Sequence, residues 1–413
     1  MVSIRENIAL DDAATSTQTG TVGEPSAAAS RTGMFITGNW YASRSLDAGQ
    51  TWTFVDPFSQ FSQNRGAFCC DQLILWAPAQ KIWIWLLQYA KSGDTNIFRV
   101  AVSTDALTWR SWEVTPGDVN SQWSTSWFDY PDMALSDQHL WISFNQYGIS
   151  DQWLRASVFR YPLDQLAALA NGETVSLLRA QWVTRDHGSL RFVVGAGDTM
   201  WWASNDVAAS VLHVFAWQDD GASIESWAVR VDPWNDSDYA SSSPANLPWL
   251  ARCDDRVTGG WRVPSSSAGP ARLGWLWTSG RTAARPHAFI RAATLREDDL
   301  SIAAQPDLWS ANGAWAYPAA APNGRGRVGL TAFYGSASDF PSHCVGVLGS
   351  DGASWTTKRA ATSTHAPRDG KWGDYITIQP HPRRPTGWVA SGFTLQGGQD
   401  RRNVEPRVVC FRD

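Results

Sequence analysis

The chain has 413 residues and a formal net charge of −5, with 43% hydrophobic and 18% charged residues. It is too apolar for disorder, and too acidic for general nucleic-acid binding, which draws on clustered Lys and Arg. No apolar run approaches the roughly 20 residues of a membrane-spanning helix, so no membrane partner is expected. The N-terminus lacks the basic start and apolar core of a signal peptide, which leaves secretion and a cytoplasmic location both open. The length suits several domains or one large repetitive fold.

In chain order, residues 1–22 are polar and rich in Thr, Ser and Ala. They read as an N-terminal arm or loose terminal strand, ahead of a single domain over 23–413. Thereafter short apolar runs alternate with Gly, Pro, Asn and Asp: Met34–Tyr41, Leu73–Trp76, Ile82–Tyr89, Leu140–Phe144, Arg191–Val194, Leu273–Trp277 and Gly387–Phe393. Their length and their β-branched and aromatic content predict strands, and the punctuation predicts turns. One short helix is expected, Leu163 to Leu169 after Pro162.

The runs repeat. An acidic or aromatic anchor precedes a small-residue strand, a turn and a strongly apolar strand, seven times at a spacing of roughly 58 residues. The anchors are Glu24, Asp71, Asp129, His187, Arg256, Tyr317 and Asp374. Four strands per unit and seven units predict an all-β fold, a seven-bladed β-propeller of four-stranded antiparallel blades. Blades bury both faces only by stacking in a ring. Runs such as Ser26-Ala27-Ala28-Ala29 and Ala319-Ala320-Ala321 are narrow enough for the channel, and Arg407–Phe411 would complete the blade that the N-terminal segment begins.

There are 26 Trp and only 4 Met. That density suits one aromatic anchor per repeated sheet, or aromatic platforms for flat ligands. The five cysteines are an odd number, and Cys69 and Cys70 are adjacent. The pair reads as two reduced thiols at a strand start, with a bond between neighbours or a soft metal site as the sharper alternatives. No zinc spacing, phosphate loop, dinucleotide glycine motif or nucleophile elbow occurs, so no cofactor and no metal are predicted.

Ser45-Leu46-Asp47-Ala48-Gly49-Gln50-Thr51-Trp52 matches the Asp-box consensus at every fixed position. Ser103–Trp109 and Ser350–Trp355 are looser copies. The chain therefore resembles the sialidase-like (Asp-box, BNR-type) propeller superfamily. The pattern of Glu24-Pro25-Ser26, Phe68-Cys69-Cys70-Asp71-Gln72, Trp127-Phe128-Asp129-Tyr130-Pro131 and Trp372-Gly373-Asp374-Tyr375 also resembles an uncharacterised bacterial sialidase-like group. This resemblance implies the propeller and a ligand site at one channel mouth. It departs from true sialidases, because no arginine stands in an Arg-Ile-Pro context and no Glu–Tyr pair can be assigned. Sialic acid is therefore not expected as the substrate.

The anchors would converge on one axis. Converging carboxylates raise one another's pKa, and paired carboxylates suit glycosidic-bond hydrolysis. Asp71, Asp129, Asp374, His187 and Glu24 are the candidate catalytic residues. Arg65, Trp127, Tyr130, Arg256, Trp315, Tyr317, Trp372 and Tyr375 are the candidate substrate contacts. The expectation is a carbohydrate-active propeller, a glycoside hydrolase or polysaccharide lyase whose partner is a carbohydrate or other small molecule. The alternatives are a lectin without catalysis, and a scaffold or pathway enzyme for a non-sugar metabolite. Carboxylates that merely tie one blade to the next are the plainer reading of each anchor. The oligomeric state stays open.

Overall fold

The computed structural model describes residues 1–244, 246–266 and 269–413. It contains seven four-stranded antiparallel sheets. Blade 3 is typical: Ser126–Leu135 lies innermost, followed outward by His139–Gly148, Trp153–Pro162 and Ala180–Thr184. The other innermost strands are Ser26–Ala29, Phe68–Ala77, Arg191–Phe192, Val257–Val263, Gly313–Pro322 and Ile378–Pro380. Each touches the next, and the last touches the first, so the sheets close into a ring.

The last blade mixes both chain ends. Ser3–Ala9 is its outermost strand and pairs with Val404–Arg412. Closing a ring this way ties the two termini into one sheet, so neither end frays alone.

The composition of each layer follows its neighbours. Ser26–Ala29 is buried at every residue, and small side chains let the inner strands approach. Gly260 shows the limit: a Cβ there would sit 2.4 Å from the Phe192 carbonyl oxygen of the adjacent blade. The second strands are sandwiched, and Ile82–Tyr89 is buried throughout. The tryptophans are mainly anchors. Trp275 Nε1 donates to the Arg191 carbonyl at 3.3 Å, and Trp388 Nε1 to the Ala321 carbonyl at 2.8 Å. Each indole thus fills the space between blades and hydrogen-bonds an inner strand of the previous blade.

Two local expectations change. The run Met34–Tyr41 is a strand only to Thr37, because the chain turns at Gly38 and the next strand is Ala42–Ser45. The helix Leu163–Ala170 is present, but Asp12–Thr15 and Pro116–Val119 are helical too. The second is a single capped turn: Thr115 and Asp118 bond each other's backbone N–H.

Candidate active site at the channel mouth

The innermost strands enter the channel through irregular steps. In blade 3, Asp129 faces Asn145 and Asp132 faces Ser143, so three steps oppose two. Tyr130 takes up the extra residue with a φ of 52°. Tyr317 does the same in blade 6 with a φ of 54°. Left-handed tyrosines cost of order 1–3 kcal/mol each, and packing must hold them there. In blade 2 the bulge is wider, since Phe68 faces Tyr89 and Gln72 faces Leu87. Within it Cys69 and Cys70 are joined by a disulfide, which corrects the expectation of two reduced thiols. Adjacent side chains in a regular strand point to opposite faces, so only the bulge lets neighbours bond.

Four carboxyl groups gather here, Asp71 and Asp129 from these steps and Glu24 and Asp374 from the segments that precede the inner strands of blades 1 and 7. Glu24 and Asp71 hydrogen-bond one another when they share a proton. Burial, with Asp71 and Asp374 nearby, raises Glu24 well above the usual carboxylate range. Burial and the Asp129 charge push Asp71 up to about 7, although Glu24 and the Tyr375 hydroxyl both hydrogen-bond to it. The Tyr375 hydroxyl donates to Asp71 Oδ2 at 3.2 Å. Asp129 accepts from Gln88 Nε2 at 2.8 Å and is also raised by burial. Asp374 receives a bidentate pair of bonds from Arg252, at 2.9 and 2.8 Å. Arg256 lies 3.6 Å from Asp374 and bonds Asp254 at 2.6 Å.

Aromatic rings floor this cluster. Tyr130 and Tyr375 are both buried and meet edge to face at 6.0 Å. Arg256 stacks over the Tyr130 ring at 4.1 Å. Further along the strand, buried Arg191 bonds Asp132 at 2.7 Å and faces both tyrosine rings. At the side, Trp127 packs at 5.1 Å on Tyr147, a phenol that lies within the field of Asp129 and Arg256. Lys91 Nζ sits 4.5 Å from the Trp127 ring.

The candidates therefore divide. Glu24, Asp71, Asp129, Asp374, Tyr130, Tyr375 and Arg256 come together, with Trp127 at their edge. Tyr317 is buried against Cys253, near Asp374 and Asp254. Trp372 is corrected as a ligand platform: it is fully buried between Trp249, Phe333 and Phe393. Trp315 is likewise buried, against Tyr334. Both were drawn into blade packing, where a large apolar ring gains most. Arg65 lies on the exposed side of blade 2, paired with Glu113 at 3.1 Å. His187 packs 4.2 Å from His213, apart from the carboxylates.

Arg252, Gln88 and Tyr147 were missed, and so was the role of Arg191. Arg191 had a signal, a charged residue opening an apolar run. Arg252 and Gln88 had none, because their partners lie on other blades. Among the described residues, no group of three His, Cys, Asp or Glu could hold a metal ion.

No family model matches the chain, and no curated protein matches it. Solved structures do resemble it in fold, among them an arabinofuranosidase, sialidases and neuraminidase-like proteins, and also a luciferin-regenerating enzyme. An α-L-arabinofuranosidase from Fusarium graminearum, solved with an iminosugar inhibitor, is 12% identical with a TM-score of 0.48. The match covers 99% of this chain and 98% of that one. A Hadza microbial sialidase is 12% identical with a TM-score of 0.45, over 76% of this chain and 63% of that one. A protein of unknown function from Dyadobacter fermentans is 11% identical with a TM-score of 0.45, over 100% and 99%. These are likenesses of fold.

Proposed function

We propose that the chain is a carbohydrate-active propeller that hydrolyses a glycosidic bond at this channel mouth. The observation that carries the reading is the gathering of buried Glu24 and Asp71 beside Asp129, with the Tyr375 hydroxyl donating to Asp71 and Gln88 to Asp129. A glycosidase needs one carboxyl that keeps its proton near neutrality and another that is ionised. Glu24 is the general acid in this reading, since burial and two neighbouring carboxylates hold its proton. Asp129 is the base or nucleophile, oriented by Gln88. Tyr375 positions Asp71. The side chain of Arg252 is 48% exposed, so it can bind hydroxyl or carboxylate groups of a sugar without leaving Asp374. Trp127 and Tyr147 supply the flat wall on which a sugar face stacks.

The test is a panel of chromogenic glycosides and a glycan array, run on wild type, Glu24→Gln and Asp129→Asn. Turnover that is lost in both variants while glycan binding persists supports the reading. Binding without turnover, unchanged in both variants, replaces it with a lectin. Neither binding nor turnover removes carbohydrate altogether.

A further inference from the structure

The innermost strands end at the opposite mouth, and on one side of it arginines gather. A cavity of about 720 Å³ opens beyond Val263, Pro322 and Pro380. Its described lining includes Arg262, Arg272, Arg325 and Arg327 and contains no carboxylate. In a chain of net charge −5, that is a local surplus of positive charge.

Two of these arginines are held by the fold. Arg262 is clasped by both oxygens of Glu297, at 2.7 and 2.8 Å. Arg327 bonds the Leu348 carbonyl at 2.9 Å and lies 3.6 Å from Asp413. The guanidinium groups of Arg272 and Arg325 have no hydrogen-bond or ion-pair partner among the described residues. Packing therefore does not account for them.

Asn323 adds an independent sign. It lines the same cavity and is only 5% exposed. Its Oδ1 accepts from the backbone N–H groups of Arg325 and Arg327, at 2.9 and 3.1 Å, which fixes which way the amide faces. Its Nδ2 is left buried with no partner among the described residues. A buried donor without an acceptor costs about 1–3 kcal/mol, so such groups are rare unless a ligand or water completes them.

We propose that this arginine-lined mouth is a second binding site, for a small molecule carrying phosphate or sulfate groups. Free guanidinium forks pair with such oxyanions in a bidentate way, and the Asn323 amide supplies a neutral donor beside them. The site is separate from the carboxylate mouth, and the proposal does not depend on the glycosidase reading.

The experiment is calorimetric titration at low salt with two probes, inorganic pyrophosphate and a sulfated disaccharide. We expect one saturable site per chain, weakened by added salt. The Arg272→Gln, Arg325→Gln double variant should weaken it roughly tenfold or more while Tm stays unchanged, because neither side chain has a partner among the described residues. Asn323→Asp, which keeps the turn's acceptor and adds a negative charge, should weaken it as well. Glu24→Gln should leave it untouched. Tight pyrophosphate with weak disaccharide assigns a phosphorylated ligand, and the reverse assigns a sulfated sugar. Failure of both probes to saturate, or binding unchanged in the double variant, overturns the proposal.

Discussion

Asp47 and Asp71 are the same residue type, and the propeller treats them in opposite ways. Asp47 sits in the turn Ser45–Trp52, between the third and fourth strands of blade 1. Its oxygens accept from the backbone N–H groups of Gln50 and Thr51 and from the hydroxyls of Ser45 and Thr51, at 2.6 to 3.0 Å. These donors favour the charged form and hold its pKa down to about 2. Asp71 sits at the channel mouth among other carboxyls, where burial pushes it up to about 7. The lesson is that surroundings decide the use of a carboxylate. One ionised aspartate organises a turn; the other keeps a proton that chemistry can use.

The contrast can be tested, starting with the largest effect. If the mouth does acid–base chemistry, Glu24→Gln should lower kcat by about a hundredfold or more, with a smaller change in KM. Steady-state kinetics on the active glycoside checks this, and the wild-type pH profile of kcat/KM should show an inflection near 7, where Asp71 ionises beside the still protonated Glu24. Asp47→Asn should leave both quantities unchanged.

Stability should separate the two aspartates next. Folded Asp71 keeps its proton up to about 7, while the unfolded chain releases it near 3.8, so its contribution is full below pH 3.8 and is lost as pH rises to 7. Asp71→Asn removes that slope. Its Tm relative to wild type should therefore be more favourable at pH 8 than at pH 4, and an equal difference at both would make Asp71 a plain structural anchor. Asp47 has the opposite sign. Its contribution is present above 3.8 and lost as pH falls toward 2, so Asp47→Asn should lower Tm alike at pH 5 and pH 8.

A buried histidine sharpens the acid limb, with a smaller effect. His343 bonds Thr331 Oγ1 at 2.7 Å through Nε2, and burial holds its pKa down to about 3. The unfolded chain takes up that proton at about 6.5, so stability should drop as pH falls from 6.5 to 3. Urea denaturation of His343→Gln should show a shallower decline over that range.

The ring itself was legible. Seven anchors, small inner runs and apolar second runs recur because each blade solves the same burial problem, and a repeated solution leaves a repeated sequence. The turn at Asp47 was legible too, because all its donors lie within four residues of the aspartate. Convergence of Glu24, Asp71, Asp129 and Asp374 followed from the repeat alone. Their partners did not. Asp71 meets Tyr375 across 304 positions, and Asp374 meets Arg252 across 122. The inward fate of Trp372 and Trp315, the free arginines of the opposite mouth and the Cys69–Cys70 bond in its bulge were equally hidden. Local hydrogen bonds and periodic burial are written in neighbouring residues, whereas charge, proton affinity and exposure at the channel depend on which side chains of distant blades meet there, and only the closed ring decides that.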